Sequence, residues 1–124
     1  MTAEVELLVC STCRRGQTPD GTTPVAGALL HAALSERSLP PEVAVRAVEC
    51  LSNCSAGCSI ALRGSGRWTY VYGNFHEAAD IDIIVDGTLR YRDAPDGIVP
   101  WRERPLHFRK NCIARIPPLE VSDD

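Results

Sequence analysis

An α/β (α+β) domain with a four-stranded mixed sheet, two helices and an irregular C-terminal tail is the fold class that this sequence predicts. Three observations predict it. Valine-rich runs at residues 5–9 and 42–48 bracket a stretch with helical apolar spacing. Two β-prone runs then flank Gly64-Ser65-Gly66-Arg67, and Pro, Gly and charged residues accumulate from Asp93 onward. A strand-helix-strand unit followed by a hairpin and a second helix gives helices packed on a mixed sheet, expected on both of its faces.

The first strand, residues 5–9, is a run of Val and Leu broken by Glu6, suited to the sheet centre or its neighbour, and it delivers Cys10 at its end. Residues 11–23 are polar and contain Pro19, Asp20 and Gly21, so they read as a loop carrying Cys13. Thr23 before Pro24 is a helix start, the hydroxyl capping and the proline occupying the first turn. Val25, Ala26, Leu29, Leu30, Ala33 and Leu34 then recur on one face of a helix over 24–37, which Pro40 and Pro41 close off. Residues 42–48 form the second strand. A right-handed crossover leaves the two strands parallel, ending on one edge of the sheet, so Cys10 and Cys50 can meet there.

Residues 59–63 and 68–72 make the hairpin around the glycine-rich turn. Asn74 and Glu77 resemble a capping box for a second helix over 76–92, supported by Ala78, Ala79, Ile81, Ile84, Val85 and Leu89, with Gly87 weakening its last turns. Residues 93–124 are expected to wrap the domain as an irregular tail with a turn at Asp96-Gly97. The order β-α-β-β-β-α is that of a small thioredoxin-like domain spanning residues 1–124.

With 124 residues and a net charge of −3, the chain is one domain by length and lacks a basic field for gripping nucleic acid. No apolar run approaches the roughly 18 residues that span a bilayer, so no membrane association is expected. Glu4 and Glu6 stand where a secretory signal carries positive charge, and a cytoplasmic location is the expectation. In a reducing compartment, the six cysteines are read as metal ligands or redox groups rather than as disulfides.

Five of the six fall in two clusters, Cys10-Ser11-Thr12-Cys13 and Cys50-Leu51-Ser52-Asn53-Cys54-Ser55-Ala56-Gly57-Cys58. Thiolates are soft ligands, and four of them suit a [2Fe–2S] cluster or a closed zinc site. Cys10, Cys13, Cys50 and Cys54 supply four, each pair on a short loop, with Cys58 as the reserve ligand that could replace Cys54. Spacing does not separate the cluster from zinc. Cys112 stands alone and is read as structural, as small buried cysteines often are.

Cys10-x-x-Cys13 beside a β-α-β unit also resembles a thiol–disulfide exchange pair. That chemistry draws its low thiol pKa from a helix starting at the motif, whereas here the helix is delayed to Pro24, and it gives Cys50, Cys54 and Cys58 no role. His31 and His76 lack any second ligand at helical spacing. The serines lack a nucleophile elbow, and Asp80, Asp82 and Asp86 lack calcium-loop spacing. Trp68, Tyr70 and Tyr72 share one strand face, a core or dimer-contact pattern. Arg102 to Lys110 is the one basic concentration, read as a solvated tail ahead of a partner-docking patch. The protein is not expected to be an enzyme in its own right.

Strand-Cys, a β-α-β crossover, Cys-x-x-x-Cys with a nearby glycine, and a following hairpin resemble the thioredoxin-like [2Fe–2S] ferredoxins and the related small subunit of NADH dehydrogenases. Val9-Cys10-Ser11-Thr12-Cys13-Arg14, Cys50-Leu51-Ser52-Asn53-Cys54, Gly66-Arg67-Trp68-Thr69-Tyr70 and Asp96-Gly97-Ile98-Val99-Pro100-Trp101-Arg102 resemble, more closely, a bacterial family of predicted metal-binding proteins (DUF1636). The resemblance covers nearly the whole chain. It implies Cys10 and Cys13 as the first ligand pair, Cys50 and Cys54 as the second, and electron transfer or redox sensing with a redox partner protein. A homodimer is implied by the ferredoxins, and a cobalt- or cobalamin-related role, through zinc- or cobalt-type binding, by the closer family. The ferredoxins separate their first two cysteines more widely, and where this chain has Cys58 they usually have a small residue or proline.

Overall fold

The structure, a computed structural model, describes residues 5–10, 26–37, 39–48, 58–76 and 79–118. Five strands form one mixed sheet: β1 (Val5–Cys10), β2 (Val43–Val48), β3 (Cys58–Gly64), β4 (Thr69–Phe75) and β5 (Cys112–Ile116), in the order β2-β1-β3-β4-β5. Among the described residues the helices are α1 (Ala26–Ser35), α2 (Ile81–Asp93) and the short α3 (Leu106–Lys110), with a 3-10 turn at Trp101–Glu103.

β1 and β2 are parallel in direct register from Val5↔Val43 to Cys10↔Val48, as the crossover rule requires. β3 returns antiparallel to β1 and β4 antiparallel to β3, so the expected hairpin is present. Leu7, Leu62 and Tyr70 lie side by side across three strands and share a face with Val5, Val9, Ile60 and Tyr72. Leu30 and Leu34 of α1 and Ile84 and Tyr91 of α2 are buried in one core with them. Leu29, expected in the buried stripe, is 41% exposed, because the face that packs is Ala26, Gly27, Leu30 and Leu34.

Both long helices therefore cover the same sheet face, not one each. α1 touches α2 as well as β1, β2 and β3, and Arg37 at the end of α1 pairs with Asp82 at the start of α2. On the opposite face, Glu6 of β1, the strand between β2 and β3, accepts from Arg46 at 2.8 Å and Arg63 at 2.7 Å, a charge cluster that belongs at the solvent side of a sheet.

The tail is not irregular throughout: among its described residues, 93–118, it forms a 3-10 turn, α3 and β5. β5 pairs antiparallel with β4, Val71 opposite Ala114 and Tyr72 opposite Cys112, making the sheet five-stranded rather than four-stranded. An uncovered β4 would leave a row of unpaired backbone groups, and β5 supplies their partners. α3 lies against the same strand: the His107 ring shares a hydrogen bond with the Gly73 carbonyl at 3.1 Å, and the Gly73 N–H donates to the Asn111 carbonyl at 3.1 Å.

α2 starts at Ile81, five residues later than expected. Asn74 belongs to β4, with φ of 61°, and so cannot open the helix. The start is instead braced by a reciprocal pair: the His76 N–H donates to Asp80 Oδ2 at 2.8 Å, and the Ala79 N–H donates to His76 Nδ1 at 3.1 Å. The turn at Asp96-Gly97 is present. Gly97 has φ of +80° and its N–H donates to the Ala94 carbonyl at 3.0 Å, while a Cβ there would lie 2.8 Å from the Tyr91 ring.

Gly87 is where the α3 contact is closest. A Cβ at this helical position would overlap the ring of Phe108, which packs on Tyr72 at 4.3 Å between centroids. Glycine thus serves α2 by admitting an aromatic ring to the helix surface. Gly87→Ala gains about 1 kcal/mol of helix propensity but forces Phe108 out of place, and overpacking of this kind costs about 1–3 kcal/mol. The expected outcome in urea unfolding is a lower midpoint despite the better helix former.

The tyrosine cluster sets an alkaline limit. Tyr70 and Tyr72 stack at 5.9 Å, Tyr91 meets Tyr70 edge-on at 6.4 Å, and the Tyr91 hydroxyl donates to the Trp68 carbonyl. Burial pushes the hydroxyls of Tyr72 and Tyr91 well above the usual tyrosine range, with Arg104 partly opposing the effect at Tyr72 and Arg67 at Tyr91. Above about pH 10, the unfolded chain releases these protons and the folded chain keeps them, so unfolding is favoured as pH rises. Stability present below pH 10 should fall by about 1.4 kcal/mol per pH unit per tyrosine above it. Unfolding midpoints between pH 9 and 11 measure the slope, which Tyr72→Phe should reduce.

Candidate metal centre

The C-terminal ends of β1 and β2 and the first residue of β3 form one rim of the sheet. Cys10 closes β1 opposite Val48, the last residue of β2. Because β3 runs antiparallel with Ile60 opposite Val9, its first residue, Cys58, stands at the same end. The order of the elements thus fixes the position of this rim.

Cys10 is 1% exposed and Cys58 0% exposed, both within the main core. Cys58 pairs with Phe75 of β4 across an irregularity in the ladder. Phe75 stacks on the His107 ring at 4.3 Å and meets Phe108 edge-on at 5.7 Å. α3 therefore supports this end of the sheet through two aromatic rings. Sequence reasoning read this segment as tail; the signal available was Pro105 ahead of Leu106-His107-Phe108, a helix start with an apolar anchor.

Cys13, Cys50 and Cys54 lie outside the described residues. Among the described residues, no three His, Cys, Asp or Glu side chains are grouped to hold a metal ion. Cys112, expected as a small buried residue, is an exposed free thiol: it opens β5 at the same end of the sheet as Cys58 but two strands further across, opposite Tyr72. Partial burial pushes its thiol up from the usual value, although Arg104 opposes this, so it is not an activated thiolate.

The other residues considered have structural work. The His31 ring lies 3.5 Å from Ser35 Oγ on α1, and His76 braces the start of α2. Asp86 pairs with Arg90 at 3.0 Å one helical turn away. No helix among the described residues is long and apolar enough to cross a membrane.

The sequence profile described as protein of unknown function (DUF1636) matches residues 7–118. The chain belongs to this family. Two solved structures share the fold of this family member. A thioredoxin-like [2Fe–2S] ferredoxin from Aquifex aeolicus superposes with a TM-score of 0.58 at 18% identity, covering 97% of this chain and 100% of that one. The wild-type thioredoxin-like [2Fe–2S] ferredoxin from Aquifex aeolicus, in a crystal structure at 1.5 Å, gives 0.55 at 16% identity, covering 91% and 99% respectively. No curated protein sequence matches the chain. The family member thus has the thioredoxin-like fold, with a fifth strand where four were expected.

Proposed function

We propose that this DUF1636 protein binds a [2Fe–2S] cluster through Cys10, Cys13, Cys50 and Cys54 and serves electron transfer or redox sensing. The observation that carries the reading is the register of β1 and β2, which sets Cys10 opposite Val48. Cys50 follows Val48 by two positions, a chain reach of at most about 7 Å. Cys13 follows Cys10 by three residues and Cys54 precedes Cys58 by four, so all four sulfurs are tethered within a few residues of one rim.

The donor set fits the group. Four thiolates are the ligands of a [2Fe–2S] cluster, and Cys10 reaches the rim from a strand buried in the core, a low-dielectric setting that influences cluster potential. When bound, the cluster supplies one-electron chemistry. Cys10, Cys13, Cys50 and Cys54 would hold it at the end of the sheet, and nearby backbone N–H groups would tune it through hydrogen bonds to sulfur. The fold shared with [2Fe–2S] ferredoxins supports the same reading.

A zinc- or cobalt-binding protein with the same four ligands is the second reading, favoured by the identical donor chemistry of a closed tetrahedral thiolate site. A thiol–disulfide exchange role for Cys10 and Cys13 is disfavoured by the 1% exposure of Cys10, since an attacking sulfur needs access to its disulfide. The visible spectrum of anaerobically purified protein separates the first two readings. Sulfide-to-iron absorption that dithionite bleaches is the expected result, and a colourless protein with stoichiometric zinc would end the cluster reading.

A further inference from the structure

The segment Trp101–Lys110 holds four cations and one acid in a chain of net charge −3, so positive charge is concentrated against an acidic background. It is a built surface. Trp101 is 58% exposed, with the Arg104 guanidinium 5.7 Å and the Arg109 guanidinium 6.0 Å from its ring centroid. Both arginines are fixed in turn: Arg104 Nε donates to the Val99 carbonyl at 2.7 Å, and an Arg109 guanidinium N–H donates to the Arg102 carbonyl at 2.6 Å. Leu106, 62% exposed, and Lys110 follow one helical turn apart on α3.

An exposed indole beside two immobilised guanidiniums, with an aliphatic residue and further cations on the same segment, is the composition of an interaction hot spot; much of its ordering entropy is already lost before binding. The position matters too. His107 of the same short helix stacks on Phe75, the register partner of Cys58, so the surface begins one aromatic ring away from the cysteine rim.

We propose that Trp101, Arg102, Leu106 and Lys110 form the docking surface for the acidic face of a protein partner, seated beside the cysteine rim. That the partner exchanges electrons rests on the cluster reading above; the docking itself rests on charge and geometry. Carboxylates of the partner meet Arg102 and Lys110 at the edge, and an apolar spot meets Trp101 and Leu106 at the centre. Opposite charge steers the encounter, and the aromatic contact sets its lifetime.

Flavodoxin, an acidic redox protein, is the test probe, titrated at low salt into the full isotope-labelled chain, with basic cytochrome c as control. The chain has two tryptophans, so two indole N–H signals report separately on Trp101 and Trp68. Flavodoxin should shift the Trp101 signal and the amides of residues 101–110, with affinity falling as salt rises. The double variant R102E/K110E and the single variant W101A should each weaken binding about tenfold while keeping the thermal midpoint, since these side chains are exposed. No shift at these residues, equal response to cytochrome c, unchanged affinity in both variants, or tighter binding of a single-stranded oligonucleotide to the same residues would each overturn the proposal. The visible spectrum of the same anaerobic sample separates the two readings. Signal shifts in protein without dithionite-bleachable sulfide-to-iron absorption keep the docking surface and count against the cluster, whereas absent shifts defeat the docking surface whatever the cofactor.

Discussion

Cys10→Ser and Cys50→Ser are each expected to purify anaerobically without iron and without visible absorption. A serine oxygen is a harder and far less acidic ligand than a thiolate, and a site with one sulfur missing no longer closes around a four-thiolate centre. Cys112→Ser should keep full metal content, because that thiol lies on β5 and its partial burial disfavours the thiolate. Iron and sulfide analysis alongside circular dichroism checks both expectations, the latter showing that the folded sheet persists. Cys58→Ser informs the loop directly: Cys58 is a core position, so a loss of stability with iron retained marks it as packing, whereas loss of iron with the fold retained marks it as a ligand.

Phe108→Ala is expected to be the most destabilising substitution outside the core of the sheet, by about 3–5 kcal/mol. The ring fills the space above Gly87, lies 4.3 Å from the Tyr72 ring and 5.7 Å from Phe75, and is 2% exposed. Its removal leaves a void between α2 and β4 and frees α3, which in turn positions β5. For a domain whose total stability is of the order of 5–15 kcal/mol, this is a large fraction. Urea unfolding should give a much lower midpoint, and Phe108→Leu should recover part of it. A change below 1 kcal/mol in Phe108→Ala would show that α3 is not anchored as described.

The first half of the fold was legible because its signals are local. The Val and Leu run of β1, the apolar spacing of α1 and the valines of β2 each carry their own period, and the handedness of crossovers then fixes their arrangement. The sequence also carries a hint of where the described helices sit: Glu6, in a strand otherwise apolar, marks the face opposite α1 and α2, where Arg46 and Arg63 meet it. The order of elements alone favours a helix on each face, and Glu6 is the residue that argues against it.

The second half was less legible because its causes are tertiary. β5, Cys-Ile-Ala-Arg-Ile, is exposed along its length and has no alternation to announce it; it exists because β4 would otherwise be an open edge. Gly87 reads as a helix weakener until Phe108, 21 residues later, is found lying on it. Asn74 and Glu77 imitate a capping box, yet Asn74 finishes a strand in a left-handed conformation. At the candidate centre, the pairing of Cys10 with the end of β2 followed from topology alone, while the aromatic support from Phe75 and His107 depended on a helix concealed among charges.

X-ray absorption at the iron edge of anaerobically purified protein tests the central claim most directly. The account predicts a first shell of sulfur alone with a second iron as near neighbour, lost together in Cys10→Ser and Cys50→Ser. A single metal bound by nitrogen or oxygen, or a centre that survives both substitutions, would contradict it.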